Sequence, residues 1–530
     1  MDNSVIVTKG NGDANEIEKK HLKYKEQYVP NKLFWGLGIE NEVYLEFENK
    51  CEIKEELFIK SCRRERYSVN YFENYKHFDF IKALKHFIHG TQKVKLPILM
   101  NSHSFTKTDK YNNPKTMYSK LSEPNPKFVG ETLLETLQEE NEYFRYNIDK
   151  EWLFDGDTFE FNTLKFYNTT LQEVVGELTN HKKTFITNLN DIFKQKELFR
   201  EHGEIKIMEN NHSFATFMTN YKNVSIFNNG TLHYNLTLPT ELDENLEIKN
   251  MPKFIHDHKK GIKMIQWLEP FMVAVYGTPD PFADMKNYPD KHKFSHASQR
   301  SAVSRYISIG TYNTDEMLKG KLLSNYISRN RCNDLSYWWF HEYYKDNSYT
   351  KLEEIGYDIN FNKHYNHGIE VRFLEHIKEK IKMFEAFEFI VYLMDYILDN
   401  DDIDNFGNPI MDKIWNGIVL NTFVHGKDYE LKKNEKELYE KIFKFKIRNK
   451  NMGDIYHEIY YYLLLKYNNF ENTHRDNIYK LQPIGKFSKQ ALKPQVKVIN
   501  IKYLPQYENK EGEHHQSFFM RCYNMIKNIL

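Results

Sequence analysis

Apolar and polar side chains alternate along four short stretches of the chain, and each predicts a β-strand with one greasy and one polar face. The first covers 35–48 and includes "GIENEVYLEF". Ile39, Val43, Leu45 and Phe47 point one way, interrupted only by Asn41. Glu40, Glu42, Tyr44 and Glu46, followed by Glu48, point the other way. The second stretch, "DTFEFNTLKF" (157–166), opposes Phe159 and Phe161 to Glu160 and Asn162. The third, "TLHYNLTLP" (231–239), sets Leu232, Tyr234, Leu236 and Leu238 against His233, Asn235 and Thr237. The fourth, "GIEVRFLEH" (368–376), sets Ile369, Val371 and Phe373 against Glu370 and Arg372.

Between the strands the period changes to that of helices. One helix is expected over about 170–197, and another ends in "MIQWLEPFMVAVYGTPDPF" (264–282), stopped by Gly277, Pro279 and Pro281. From 380 onward the pattern is mostly helical, including "IYHEIYYYLLLKY" (455–467), with loops at 400–410 and 468–500. The stretch 101–127, rich in Asn, Ser, Lys and Pro, reads as a long surface loop, with a lid over a site as the alternative. Residues 1–30 read as a loosely docked arm. Short strands separated by helices, with no internal repeat, predict an α+β fold around a mainly antiparallel sheet.

The polar faces are unusual in kind. Solvated sheet faces usually carry Lys, Thr, Ser and Gln, whereas these carry Glu, His, Asn and Arg. Glu40 and Glu42 would sit about 6.6 Å apart at the strand rise of ~3.3 Å per residue. At an effective dielectric near 20 their repulsion is about 2–3 kcal/mol. A concave site could keep such groups ionised only with a compensating charge, and Mg²⁺ or Mn²⁺ with its oxygen ligands supplies one. Glu46 and Glu48 are expected past the rim, in water. His256, His258, His364, His367, His514 and His515 lack a partner pattern and read as surface histidines. Trp267, Phe271 and Tyr276 read as helix core.

Composition excludes several classes. Lys plus Arg equals Asp plus Glu at 74 each over 530 residues, so no net field calls for nucleic acid or an anionic membrane. Cys51, Cys62, Cys332 and Cys522 are scattered, with no zinc spacing, which suits a reducing interior. The start is polar, and the most apolar run, "FEFIVYLMDYIL" (387–398), is short and contains Glu388 and Asp395. A soluble cytoplasmic protein without a membrane span is expected.

"GIENEVYLEF", "GTLHYNLTLP", "YGTPDP", "SQRSAVSRY" (298–306) and "GIEVRFLEHI" occur in the order seen in bacterial-type glutamate–cysteine ligases. The chain resembles that family, within the glutamine-synthetase-like carboxylate–amine ligases, over roughly 35–380. The resemblance implies a curved antiparallel sheet forming a metal and ATP basin, flanked by helices. It implies a catalytic domain over 31–380 with an insertion at about 95–155, and a mostly helical C-terminal region over 381–530. The implied activity joins L-glutamate to L-cysteine with ATP through an acyl phosphate, giving gamma-glutamylcysteine, the first step of glutathione synthesis. By the same resemblance, Glu40, Glu42, Glu160, His233 and Glu370 hold Mg²⁺ or Mn²⁺, and Arg372 reaches the transferring phosphoryl group. Arg300 holds the glutamate α-carboxylate, with Tyr306, Ser298 and Asn235 also at the substrates. The family's further acidic ligand corresponds to Asp155 or Asp157. A different amine acceptor, among them a small amine or a protein lysine, and a catalytically silent scaffold of the same fold are the alternatives; a monomer is compatible with all of them.

Overall fold

The computed structural model describes residues 33–54, 93–106, 131–155, 158–164, 171–198, 200–208, 230–245, 247–279, 296–298, 359–361, 368–377, 379–407, 409 and 412–468. In chain order the strands are β1 (Leu33–Val43), β2 (Leu45–Lys54), β3 (Lys93–Met100), β4 (Trp152–Asp155), β5 (Thr158–Asn162), β6 (Ile205–Ile207), β7 (Thr231–Glu241), β8 (Ile359–Phe361) and β9 (Ile369–Glu375). The helices are α1 (Ser102–Thr106), α2 (Leu133–Glu140), α3 (Glu142–Tyr146), α4 (Leu171–Gln195), α5 (Met251–Tyr276), α6 (Lys380–Asp399), α7 (Lys413–His425), α8 (Lys433–Phe443) and α9 (Met452–Asn468). The arm at 1–30, most of the 101–127 loop, Asp157, Arg300, Tyr306, His364, His367, His514 and His515 lie outside the described residues.

Six strands form one sheet in the order β4-β5-β1-β7-β9-β8, every neighbouring pair antiparallel. The α+β expectation and its antiparallel sheet are therefore present. No described helix is long and apolar enough to cross a membrane. The first predicted strand differs from expectation. It breaks at Tyr44, and β2 joins a second sheet, ordered β3-β2-β6. Met208 N donates to Tyr44 O at 3.0 Å, at the step from one sheet to the other. Glu40 and Glu42 thus belong to the main sheet and Glu46 and Glu48 to the second. Glu48 is exposed as expected, but Glu46 is buried rather than in water, because β2 is the central strand of its sheet, flanked by β3 and β6.

The apolar faces of the main sheet bury against helices. Leu37, Ile39 and Val43 of β1, with Leu232, Tyr234 and Leu236 of β7, join one hydrophobic core with α4, α5 and α6. Tyr234 stacks on Phe387 of α6, ring centroids 4.2 Å apart, and its hydroxyl donates to Met383 O at 2.6 Å. The apolar run "FEFIVYLMDYIL" is the buried body of α6, and its Glu388 accepts hydrogen bonds from the Tyr392 and Tyr460 hydroxyls. Trp267, Phe271 and Tyr276 are core residues, as expected. One register feature fixes the start of β7. Gly230 has φ +90°, and a Cβ there would lie 2.1 Å from the Glu42 carbonyl oxygen, so only glycine lets β7 approach β1 this closely.

α5 runs through Pro270, which removes the N–H that would otherwise bond Gln266 O. The freed carbonyl is recovered from outside the helix: Trp415 Nε1 of α7 donates to Gln266 O at 3.0 Å. One residue on, the Tyr439 hydroxyl of α8 donates to Trp267 O at 2.9 Å. The C-terminal helices are thereby tied to the helix that supports the sheet. Trp415→Phe should cost about 1–3 kcal/mol, the penalty of an orphaned buried carbonyl, plus lost packing. Pro270→Ala restores the missing N–H, so in the Trp415→Phe background it should recover part of that loss. Urea unfolding of both single variants and the double variant measures the coupling; purely additive costs would show that Trp415 is not serving the carbonyl.

Candidate metal and phosphate centre

The strand registers arrange the polar face as a grid. Glu42 on β1 lies opposite Glu160 on β5 and Thr231 on β7, and Thr231 lies opposite Glu375 on β9. In the next row Glu40 lies between Asn162 and His233. In the third, Asn235 lies between Gly38 and Glu370, and Glu370 faces Asn360 of β8. Partners across a ladder share a face, so the five residues singled out from parity alone come together on one side of one sheet.

His233 occupies the centre. Its Nδ1 is 3.1 Å from Glu40 Oε2 and 3.6 Å from Glu370 Oε1, and its Nε2 is 3.7 Å from Glu42 Oε1. Asn235 Nδ2 donates to Glu40 Oε1 at 3.2 Å. Arg372 Nη1 lies 3.6 Å from Glu370 Oε2, placing the guanidinium at the edge of the cluster. The side chain of Glu370 is buried, and those of Glu40 and Glu42 keep only a narrow exposed edge.

Donor atoms of Glu40, His233 and Glu370 all lie within 4.8 Å of one another, and so do those of Glu42, Asp155 and Glu160. Cation–ligand distances of about 2.0–2.6 Å require ligand atoms at such separations. Asp155, one of the two acids considered for the last position, is thus beside Glu160. Burial, followed by the charges of Glu40, Glu42 and Asp155, holds the Glu160 carboxyl well above the usual carboxylate range. That is the response of crowded carboxylates without a cation.

Among the described residues, four buried polar atoms on this face lack a hydrogen-bond partner: Asn162 Oδ1, Thr231 Oγ1, His233 Nε2 and Asn235 Oδ1. A buried polar atom without a partner costs about 1–3 kcal/mol. The donor set is oxygen-rich with one imidazole, suited to Mg²⁺ or Mn²⁺, so the residues present fit such an ion.

Two features of the neighbourhood were not visible by parity. The register between β7 and β9 shifts between Leu232 and Tyr234, a bulge across from His233 at Arg372–Phe373. The extra residue turns Glu375 onto the polar face, beside Thr231. Glu375 is buried and accepts from Ser298 Oγ and, at 3.3 Å, from Thr278 N. Ser298 is therefore positioned through Glu375. The second feature concerns His258, expected at the surface but buried on α5. Its Nδ1 donates to Phe254 O at 2.7 Å, and its Nε2 accepts from Leu238 N at 2.9 Å. Burial lowers its pKa to about 3, so it is a neutral structural residue supporting β7. His256 is exposed, as expected, 3.4 Å from Asp404.

No family model matches the chain. It is 36% identical over 415 residues to the uncharacterized protein R704 of Acanthamoeba polyphaga mimivirus, an alignment covering 78% of this chain and 71% of that protein. At that identity and coverage, the chain belongs to the family of this mimivirus protein.

Proposed function

We propose that the chain is an ATP-dependent carboxylate–amine ligase of the glutamine-synthetase-like fold, acting as a glutamate–cysteine ligase. The observation that carries this reading is the pairing of two ligand groups, Glu40–His233–Glu370 and Glu42–Asp155–Glu160, on one sheet face with Arg372 at their edge. Phosphoryl transfer makes this demand: a cluster of hard ligands beside a fixed cation, held on rigid elements.

In this reading Glu40, Glu42, Asp155, Glu160, His233 and Glu370 hold Mg²⁺ or Mn²⁺. When bound, such ions would supply positive charge to offset the charge that develops on the phosphates during transfer. Arg372 directs its planar guanidinium at the phosphoryl oxygens, a fit that a lysine would not reproduce. Arg300 holds the α-carboxylate of glutamate, and Tyr306 lies near the second substrate. Glu375 fixes Ser298 beside the polar face. The side-chain carboxylate of glutamate attacks the γ-phosphorus, releasing ADP and leaving an acyl phosphate. The cysteine amine then attacks the acyl carbon, inorganic phosphate departs, and an amide bond remains with loss of the amine proton. His233, buried among three carboxylates, orients Glu40 and Glu370 rather than moving protons in this scheme.

The metal part of the reading has a stability signature. Glu160 has its folded-state pKa raised above the ordinary 4.5. Its contribution in metal-free protein is therefore present in full below about 4.5 and lost as pH rises through the folded value. Urea unfolding across that window in EDTA should show the decline. Glu160→Gln should flatten it, and saturating Mg²⁺ or Mn²⁺ should restore stability at the upper end. An unchanged slope in Glu160→Gln would mean that the carboxylates are not crowded.

The activity is tested by coupled ADP release with ATP, Mg²⁺ and L-glutamate. Addition of L-cysteine should stimulate release, and Glu40→Ala/Glu42→Ala should reduce it at least about 100-fold, the several kcal/mol that metal-held charge stabilisation supplies. Glutamate-dependent turnover that responds to another amine and not to cysteine would replace the acceptor. Absence of turnover with every acceptor, together with no metal-dependent ATP binding, would overturn the enzyme in favour of a scaffold.

A further inference from the structure

On the opposite side of the sheet from the carboxylates lies a cavity of about 350 Å³, between α4, β6 and the start of α6. Lys182, Lys183, Lys206 and Lys380 line it together with His376, and no carboxylate does so among the described residues. Its remaining walls are largely apolar, with Leu178, Ile207, Met208 and Met383 among them. The volume is that of a small-molecule pocket.

The polar groups beside it are organised. Asn41, the residue that interrupts the apolar face of β1, donates through Nδ2 to Thr231 O at 2.6 Å and lies 3.3 Å from His376 Nδ1. His376 Nε2 lies 3.2 Å from Met208 O, so the ring fits as a neutral imidazole, accepting at Nδ1 and donating at Nε2. Burial and the nearby Lys182 push its pKa down to about 3, in agreement. His376 therefore adds no charge of its own.

Lys182 Nζ donates to Asn41 Oδ1, a neutral acceptor, and burial lowers the lysine to about 7. Among the described residues, its other donors have no hydrogen-bond partner. At the mouth, Lys380 opens α6, whose N-cap residue Glu379 makes no side-chain capping bond and pairs instead with Lys382 at 2.7 Å. The positive end of a 20-residue helix thus adds to the field of the lysines. Four lysines line the cavity, and an oxyanion is the group whose charge complements them.

We propose that this cavity binds a small organic anion, a carboxylate or phosphate head on a short apolar body, at a site separate from the carboxylate face. The head meets Lys182 and Lys380, and the apolar body lies along Leu178, Met208 and Met383.

Calorimetric titration of the full chain with hexanoate and with hexyl phosphate tests this, with 1-hexanol as the neutral control of the same length. At least one of the anions should bind with 1:1 stoichiometry and at least tenfold more tightly than hexanol; which one does so separates a carboxylate from a phosphate ligand. Lys380→Gln, an exposed change that leaves the core untouched, should weaken the anion at least tenfold, and so should Lys182→Met where circular dichroism shows the fold intact. Equal binding of hexanol, no binding of either anion, or unchanged affinity in Lys380→Gln would overturn the proposal.

Discussion

Like charges in a place that water reaches poorly are the constraint on which the rest of this molecule depends. Glu40, Glu42, Glu160 and Glu370 project from three strands, β1, β5 and β9, toward the imidazole on β7 between two of them, and Glu160 responds by retaining its proton more tightly than a free carboxyl would. Such an arrangement relaxes at the first opportunity unless its backbone is held. Strands hold it better than loops, because each ladder bond fixes a Cα and thereby the direction of its side chain. The supporting helices are in turn locked. Tyr234 is stacked and hydrogen-bonded to α6, His258 of α5 accepts the Leu238 N–H of β7, and Trp415 and Tyr439 close the carbonyls around Pro270.

The two faces of β1 show how one strand serves opposite electrostatic needs. Residues 40 and 42 present acids to one side, and residue 41, between them, presents an amide to the other. Asn41 uses both its donor and its acceptor capacity, toward Thr231 O and His376 and from Lys182. A carboxylate at that position would add to the negative field of its neighbours through the sheet, whereas an aliphatic residue would remove the hydrogen bond that Lys182 makes to Asn41. The interruption of the apolar run is therefore required by what lies beneath it.

Much of the site was legible because strand parity is a strict rule. Glu40, Glu42, Glu160, His233 and Glu370 alternate with aliphatic and aromatic residues, and the ladder brings all of them to one face. What parity hides are events that leave the alternation intact. The crossing at Tyr44 moves Glu46 into another sheet without disturbing the odd–even pattern. The bulge at Arg372–Phe373 does the reverse, changing the face on which Glu375 lies while the sequence reads on smoothly. Tertiary contacts hide the rest. Nothing local distinguishes His258, buried against a backbone N–H, from the exposed His256 two residues earlier. Lys182 and His376 acquire their character only when α4 and the end of β9 meet beneath Asn41.

A polar face of this kind has two ways to satisfy itself, and they are not equivalent. Water can hydrogen-bond to Thr231 Oγ1, His233 Nε2 and the Asn162 and Asn235 carbonyl oxygens, and it would remove the cost of each orphaned atom. Water does not neutralise the acids, so the repulsion among Glu40, Glu42 and Glu160 would remain. Protonating Glu160 relieves part of that repulsion but removes its capacity to act as a charged ligand. A divalent cation held there would offset the carboxylates, which water alone cannot do. Under the proposed reading a cation would let these acids stay ionised together, and Arg372 stands at their edge, beside Glu370.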